Sequence, residues 1–171
     1  NTTLLVNYIY LDSEERKRFA QASHEYLVEQ LQFTGVESAS ATAGSNKFRL
    51  NFNHPVKELV WVHQAAAAEL ADNEPTTDAL LQLNGHDRFS KQNEEYFNYV
   101  QTKDHHSNTP FRGVCVYSFA LNPEEHQPSG TCNFSRIDNA TLKLETNTGS
   151  GTSLYVYAVN YNVLRIMSGM G

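Results

Sequence analysis

Residues 47–53 read KFRLNFN, and their strict alternation decides what this stretch can be. Phe48, Leu50 and Phe52 fall on one side of an extended chain, and Lys47, Arg49 and Asn51 on the other, because successive strand side chains point to opposite faces. The stretch therefore predicts a strand with one face in a core and one in water. Seven further stretches read as extended: residues 3–11, 33–40, 56–63, 79–84, 113–121, 140–146 and 153–167. Residues 3–11, TLLVNYIYL, are apolar on both faces and predict a central strand. Turn chemistry separates the stretches: Asn53-His54-Pro55, Gly85, and the Gly/Ser run at residues 147–151.

Two connections carry helical signals. Asp12 is placed to cap a helix, with Glu15 three residues on and Glu14 beside it in the first turn. Phe19, Ser23, Tyr26, Leu27 and Leu31 then recur at helical spacing, so the helix is expected to run almost to Phe33. Residues 87–102 predict the second helix, with Phe89, Tyr96, Phe97 and Val100 turned inward. A short helix at residues 65–68 would end in the loop at residues 72–77. Few crossover helices among many strands argue for antiparallel pairing. The expected fold is all-β: an eight-stranded antiparallel jelly-roll sandwich with two inserted helices, formed by residues 1–171 as a single domain.

Composition narrows the function classes. Nine Tyr and nine Phe suit pleated, half-buried faces and exclude a disordered chain. The net charge is −6, and the sole basic cluster, Arg16-Lys17-Arg18, sits beside Glu14 and Glu15. That is a solvated helix face, not a counterion-displacing nucleic-acid surface. No apolar run approaches the roughly 20 residues of a membrane span. The chain opens at Asn1 instead of Met, which reads as a fragment or a processed piece.

Candidate chemistry fails on spacing, and no catalytic, cofactor or metal residue is assigned. Asp104-His105-His106 is the obvious metal suspect, but neighbouring histidines in a polar loop define no coordination geometry, and a solvated loop is the expectation. The paired His-x-His and following Glu of a metal-binding cupin are absent. Asp12, Ser23 and His24 make no triad, and no Gly-x-Ser-x-Gly elbow exists. Cys115 lies in an apolar strand, so it and Cys132 read as buried free thiols. Asn1, Asn133 and Asn139 open Asn-x-Ser/Thr triplets, which arise often by chance. Asn133 is disfavoured because its segment re-enters a sheet. Tyr155, Tyr157 and Tyr161 share a parity on one long strand and could serve a lectin-like module as a sugar platform, although such rows are more often core.

The longest uninterpreted stretch is residues 117–136, in which Pro123 and Pro128 bracket an acidic loop containing Glu124 and Glu125. Proline cannot donate to a ladder, so the strand must break there and resume near Cys132. This stretch, SFALNPEEHQPSGTCNFSRID at residues 118–138, resembles the major capsid protein of nucleocytoplasmic large DNA viruses, of the chlorella-virus kind. So do YIYLDSEERKRFAQASHEYLVEQ at residues 8–30, NHPVKELVW at residues 53–61 and VYAVNYNVLRIMSGM at residues 156–170. The four stretches fall in the family's order and span almost the whole chain.

The resemblance implies the second, carboxyl-terminal roll of a double jelly roll capsid protein. It implies homotrimers forming pseudo-hexagonal capsomers that tile an icosahedral shell, assembled in the infected cell and located in the virion. The implied partners are neighbouring capsomers and minor capsid proteins, with no enzyme activity, cofactor, nucleic-acid contact or membrane insertion. The loop at residues 117–136 is then expected to order a subunit contact or a sheet corner.

Overall fold

The structure, a computed structural model, describes residues 2–39, 43–65, 75–147 and 152–167. It divides into two compact units, Asn1–Val28 with Val163–Gly171, and Glu29–Asn162.

The second unit holds a sandwich of two antiparallel sheets. The strands are β1 (His24–Ala39), β2 (Gly44–Leu50), β3 (Pro55–Ala65), β4 (Thr76–Leu83), β5 (His86–Asp87), β6 (Gln92–Asn93), β7 (Val114–Ser118), β8 (Cys132–Asn133), β9 (Ala140–Thr146) and β10 (Thr152–Ile166). One sheet runs β1-β10-β3-β7, with β8 also on β3. The other runs β2-β9-β4-β5, with β6 also on β4. Successive long strands change sheets, which is the jelly-roll arrangement. Ten strands are assigned among the described residues where eight were expected. Three of the ten have two residues, and β5 with β6 fill the place of one broken strand.

Alternation built the sandwich as the sequence required. Phe48 and Leu50 of β2 are buried while Lys47 and Arg49 face out, and Phe52 continues the buried row beyond the strand. On β9 the buried row is Ala140, Leu142, Leu144 and Thr146; on β10 it is Leu154, Val156 and Ala158. The hairpin from β4 to β5 turns on Asn84-Gly85, both at positive φ (51° and 82°), the geometry that a two-residue turn between twisted strands needs. The core also holds an unbroken row of rings: Phe52, Phe134, Phe119, Tyr117, Phe89, Phe97 and Trp61, with successive centroids 4.8–6.2 Å apart.

Three expectations are corrected. Residues 3–11 form no strand, and their side chains are exposed. The first helix, α1, covers only Ser13–Gln21, and the chain from His24 on is strand. Asp12 does cap it, accepting from the Glu15 amide at 2.8 Å. Yet α1 buries no residue, and nine residues without a packed face cannot propagate. Tyr26, Leu27 and Leu31 lie instead on β1 beside β10, because sheet pairing overrides a spacing that short apolar runs leave ambiguous. The second helix starts later than expected. Residues 86–93 contribute β5 and β6, followed by a π-helical turn, Tyr96–Val100, and then α2, Gln101–His105. Phe97 is buried as expected, whereas Val100 is exposed.

That helical segment closes the free edge of β7. Asn98 Nδ2 donates to the Phe111 and Val114 carbonyls at 3.0 and 2.7 Å, and the Ser118 amide donates to Gln101 Oε1 at 3.2 Å. Side-chain amides thus replace the missing neighbour strand at an otherwise sticky edge. Ala65 ends β3 and Thr76 opens β4, so strand takes the first residue of the helix expected at residues 65–68 and the last two of the loop expected at residues 72–77; residues 66–74 and 148–151 lie outside the described residues.

In the first unit, α1 is followed by the opening of β1. His24 stacks between Phe19 and Tyr26 at centroid distances of 5.0 and 6.2 Å, and Arg165 of β10 pairs with Glu25 at 2.6 Å.

Candidate interaction surface and its clamped loop

The site begins with an anomaly in β3. The sequence VKELVWV puts two adjacent charges into an otherwise apolar strand. Opposite it, Val159 pairs with Glu58 and Asn160 with Val56, so Lys57 is an extra residue, a β-bulge. The bulge places both Lys57 and Glu58 away from the core row of Val56, Leu59 and Trp61. The Lys57 carbonyl accepts from the Phe119 and Ala120 amides at 2.8 and 3.2 Å, anchoring the start of the proline-bracketed loop.

Two chains of charge then fasten that loop over β3. In one, Lys57 Nζ meets Glu29 Oε1 at 2.8 Å, and Glu29 Oε1 lies 3.4 Å from Nδ1 of His126 in the loop. The ammonium also sits 5.4 Å from the centre of the Tyr161 ring. In the other, His106 stands between two carboxylates, with Nε2 3.0 Å from Glu58 Oε2 and Nδ1 3.4 Å from Glu124 Oε1. The 3.0 Å approach lacks hydrogen-bond alignment and is an ion pair only when the imidazole carries a second proton. Burial pushes the Glu58 carboxyl above its ordinary range, opposed by His106 and Lys57. Glu124 moves the opposite way: it accepts from the Ser107 amide at 3.1 Å and the Ser107 hydroxyl at 3.0 Å, which favour its charged form.

The loop's interior is equally determined. Asn122 N–H donates to Ser129 Oγ at 2.9 Å, and His105 Nδ1 lies 3.0 Å from the Leu121 carbonyl. Gly130 takes φ 149°, and a Cβ there would stand 2.8 Å from the Phe119 carbonyl oxygen. Its glycine is a requirement of close approach. Beyond the loop, Cys132 and Asn133 form β8 on β3, and Asn133 Oδ1 accepts from the Ser135 amide to cap a short 3-10 turn, Phe134–Arg136.

The sequence candidates are therefore distributed as follows. His106 is not a solvated loop residue but the centre of a clamp, and among the described residues no His, Cys, Asp and Glu group is arranged to hold a metal. Neither Cys115 nor Cys132 is in a disulfide; Cys115 is buried, while Cys132 is half-buried with its thiol pKa raised by burial. Asn139 is exposed, with Oδ1 accepting from its own triplet's Thr141 hydroxyl at 3.2 Å; Asn133 is exposed too, and Asn1 lies outside the described residues. Tyr155 and Tyr157 are covered in part by Phe33, stacked 6.3 and 4.7 Å away. Tyr161 is buried, beyond the register shift at Val159/Asn160. The three tyrosines make no open sugar platform. Beside His63, Glu94 and Cys115 a cavity of about 10 Å³ has room for a single water, not for a substrate.

The clamp escaped the sequence because Glu29, Lys57, Glu58, His106, Glu124 and His126 come from four separate stretches. The one available signal was the adjacent charge pair inside a strand, since buried charge demands a partner.

Known proteins supply the context. Residues 15–171 match the family described as large eukaryotic DNA virus major capsid protein. The major capsid protein of Pyramimonas orientalis virus is 52% identical over 100% of this chain and 48% of its own length. That of Paramecium bursaria Chlorella virus 1 is 43% identical over 97% of this chain and 52% of its own. Among solved structures, PBCV-1 VP54, fitted into a reconstruction of the virophage Sputnik, superposes with a TM-score of 0.82 at 41% identity, covering 96% of this chain and 54% of that one. The Faustovirus major capsid protein shares the fold, with a TM-score of 0.73 at 11% identity. The chain spans about half the length of these first two relatives. It belongs to the major capsid protein family of large eukaryotic DNA viruses.

Proposed function

We propose that this chain is the second jelly roll of a double jelly roll capsid protein, the carboxyl-terminal half of a longer molecule. Three such molecules form a pseudo-hexagonal capsomer, and capsomers tile the icosahedral shell of a virion. The observation that carries the reading is the family match across residues 15–171 on a sandwich of the matching fold. The site's chemistry is in keeping: its charged groups are spent on holding a loop. The role is structural and non-enzymatic. The partners are copies of the same protein and minor capsid proteins, and the net charge of −6 disfavours a role in packing nucleic acid. The test is to express the full-length protein and determine its mass by light scattering and its shape by cryo-electron microscopy. A trimer with a pseudo-hexagonal outline is the expected result. A stable monomer at micromolar concentration would overturn the proposal.

A further inference from the structure

Three of the chain's seven histidines hold the loop at residues 121–129, each through Nδ1. His105 faces the Leu121 carbonyl, His106 the Glu124 carboxylate, and His126, inside the loop, the Glu29 carboxylate. His106 differs from the others in standing between two carboxylates. A neutral imidazole has one N–H and one lone pair, so one proton cannot answer both. With the hydrogen on Nδ1, the Nε2 lone pair faces Glu58 Oε2 at 3.0 Å; with it on Nε2, the Nδ1 lone pair faces Glu124 Oε1 at 3.4 Å. Either way two lone pairs meet where the side chains of His106 and Glu58 are only 18% and 12% exposed, and water screens them little. The imidazolium carries N–H on both sides. A proton on Glu58 instead, whose burial favours its neutral form, answers the Nε2 side equally.

We propose that residues 121–129 form a pH-sensitive latch, closed onto β3 while the His106–Glu58 pair carries an extra proton and loosened when that proton is lost. Surrounding charges do not cancel the effect. Lys57 of β3 opposes proton uptake, but Glu29 of β1 meets it at 2.8 Å, and it lies over the Tyr161 ring of β10. Glu124 is kept ionised by its two hydrogen bonds from Ser107. Lys103, Asp104 and His105 on α2, with Glu125 and His126 in the loop, complete the titratable groups of those two elements. The His126–Glu29 contact works in the same sense, more weakly because His126 is exposed. Closing takes up a proton, so the closed state is favoured at the acid end and loses that stabilisation as pH rises through about 5–8, where imidazoles titrate. Burial of His63 acts on the sandwich with the opposite sign, because its lowered pKa costs stability as pH falls. Release is confined to the middle of the loop, since the Phe119 and Ala120 amides stay bonded to the Lys57 carbonyl.

Hydrogen exchange on the full-length protein at about pH 6 and pH 8 tests this, each rate being divided by that of unstructured chain at the same pH. The amides of Ser107, Asn122 and Glu125 donate to Glu124, Ser129 and the Asn122 carbonyl, and so report the closed loop. They should be at least about threefold better protected at the lower pH, while Leu142 and Leu144 in β9 gain nothing. His106→Ala should abolish the step. Glu124→Gln keeps an acceptor for Ser107 and removes one of the two charges facing His106, so it should shrink the step in a protein that folds normally. Equal corrected protection at the two pH values overturns the proposal. A step that persists in full in both variants also overturns it, as does one that β9 matches, since that change would belong to the whole sandwich.

Discussion

His63 shows how one buried side chain sets a pH limit on the whole fold. Its ring nitrogens each lie 2.7 Å from a threonine hydroxyl, Thr76 on one side and Thr152 on the other, and burial lowers its pKa from 6.5 to about 4. Above pH 6.5 the ring is neutral in both folded and unfolded chains and costs nothing. As pH falls from 6.5 to about 4 only the unfolded chain takes up the proton, so stability declines. The decline should reach about 3 kcal/mol, at roughly 1.4 kcal/mol per pH unit, and then level off. Urea denaturation at pH 7, 5.5 and 4 measures it, and His63→Gln should remove this part of the slope. Gly130 is a second case at this scale. Gly130→Ala forces a Cβ against the Phe119 carbonyl at a φ that L residues avoid, and should lower the urea-derived stability by about 1–3 kcal/mol.

At the scale of elements, legibility followed periodicity. β2 and β9 were readable because period-2 alternation on a sheet with one wet face has no helical counterpart. β1 was not, because its opening residues fit a helical stripe as well as a strand, and only the pairing with β10 decides between them. Residues 86–93 were lost for a related reason: two-residue strands leave no period to detect. The clamp was illegible because it is assembled from distant residues, although the Lys57–Glu58 pair hinted at it. Two predictions belong here. Asn98→Ala strips two hydrogen bonds from the residues around β7 and should destabilise by about 1–3 kcal/mol, measured by thermal or urea unfolding. Glu124→Ala releases Ser107 and one side of His106, so limited proteolysis should cut residues 121–129 faster while global stability changes little. An unchanged cleavage rate would show that Lys57, Glu29 and the loop's own hydrogen bonds suffice.

Across the whole molecule, stability rests on the interior between the sheets. Leu144 is fully buried at the centre of its sheet, on β9 between β2 and β4, and Leu144→Ala should cost about 2–5 kcal/mol by calorimetry or denaturant titration. The order of strands also carries a temporal meaning. β9 and β10, the last two strands along the described chain, are interior members of their sheets: β9 separates β2 from β4, and β10 separates β1 from β3. During synthesis the sheet of β2 and β4 cannot close until β9 has left the ribosome, nor the sheet of β1 and β3 until β10 has, and topologies of such distant pairing fold slowly. A product interrupted before Ala140 would carry β1 and β3 with no strand to join them, and β2 and β4 likewise. Such a chain exposes ladder edges for chaperones and proteases to recognise. The late arrival of the two middle strands is thus a completeness check, since a prematurely ended chain cannot close the sandwich.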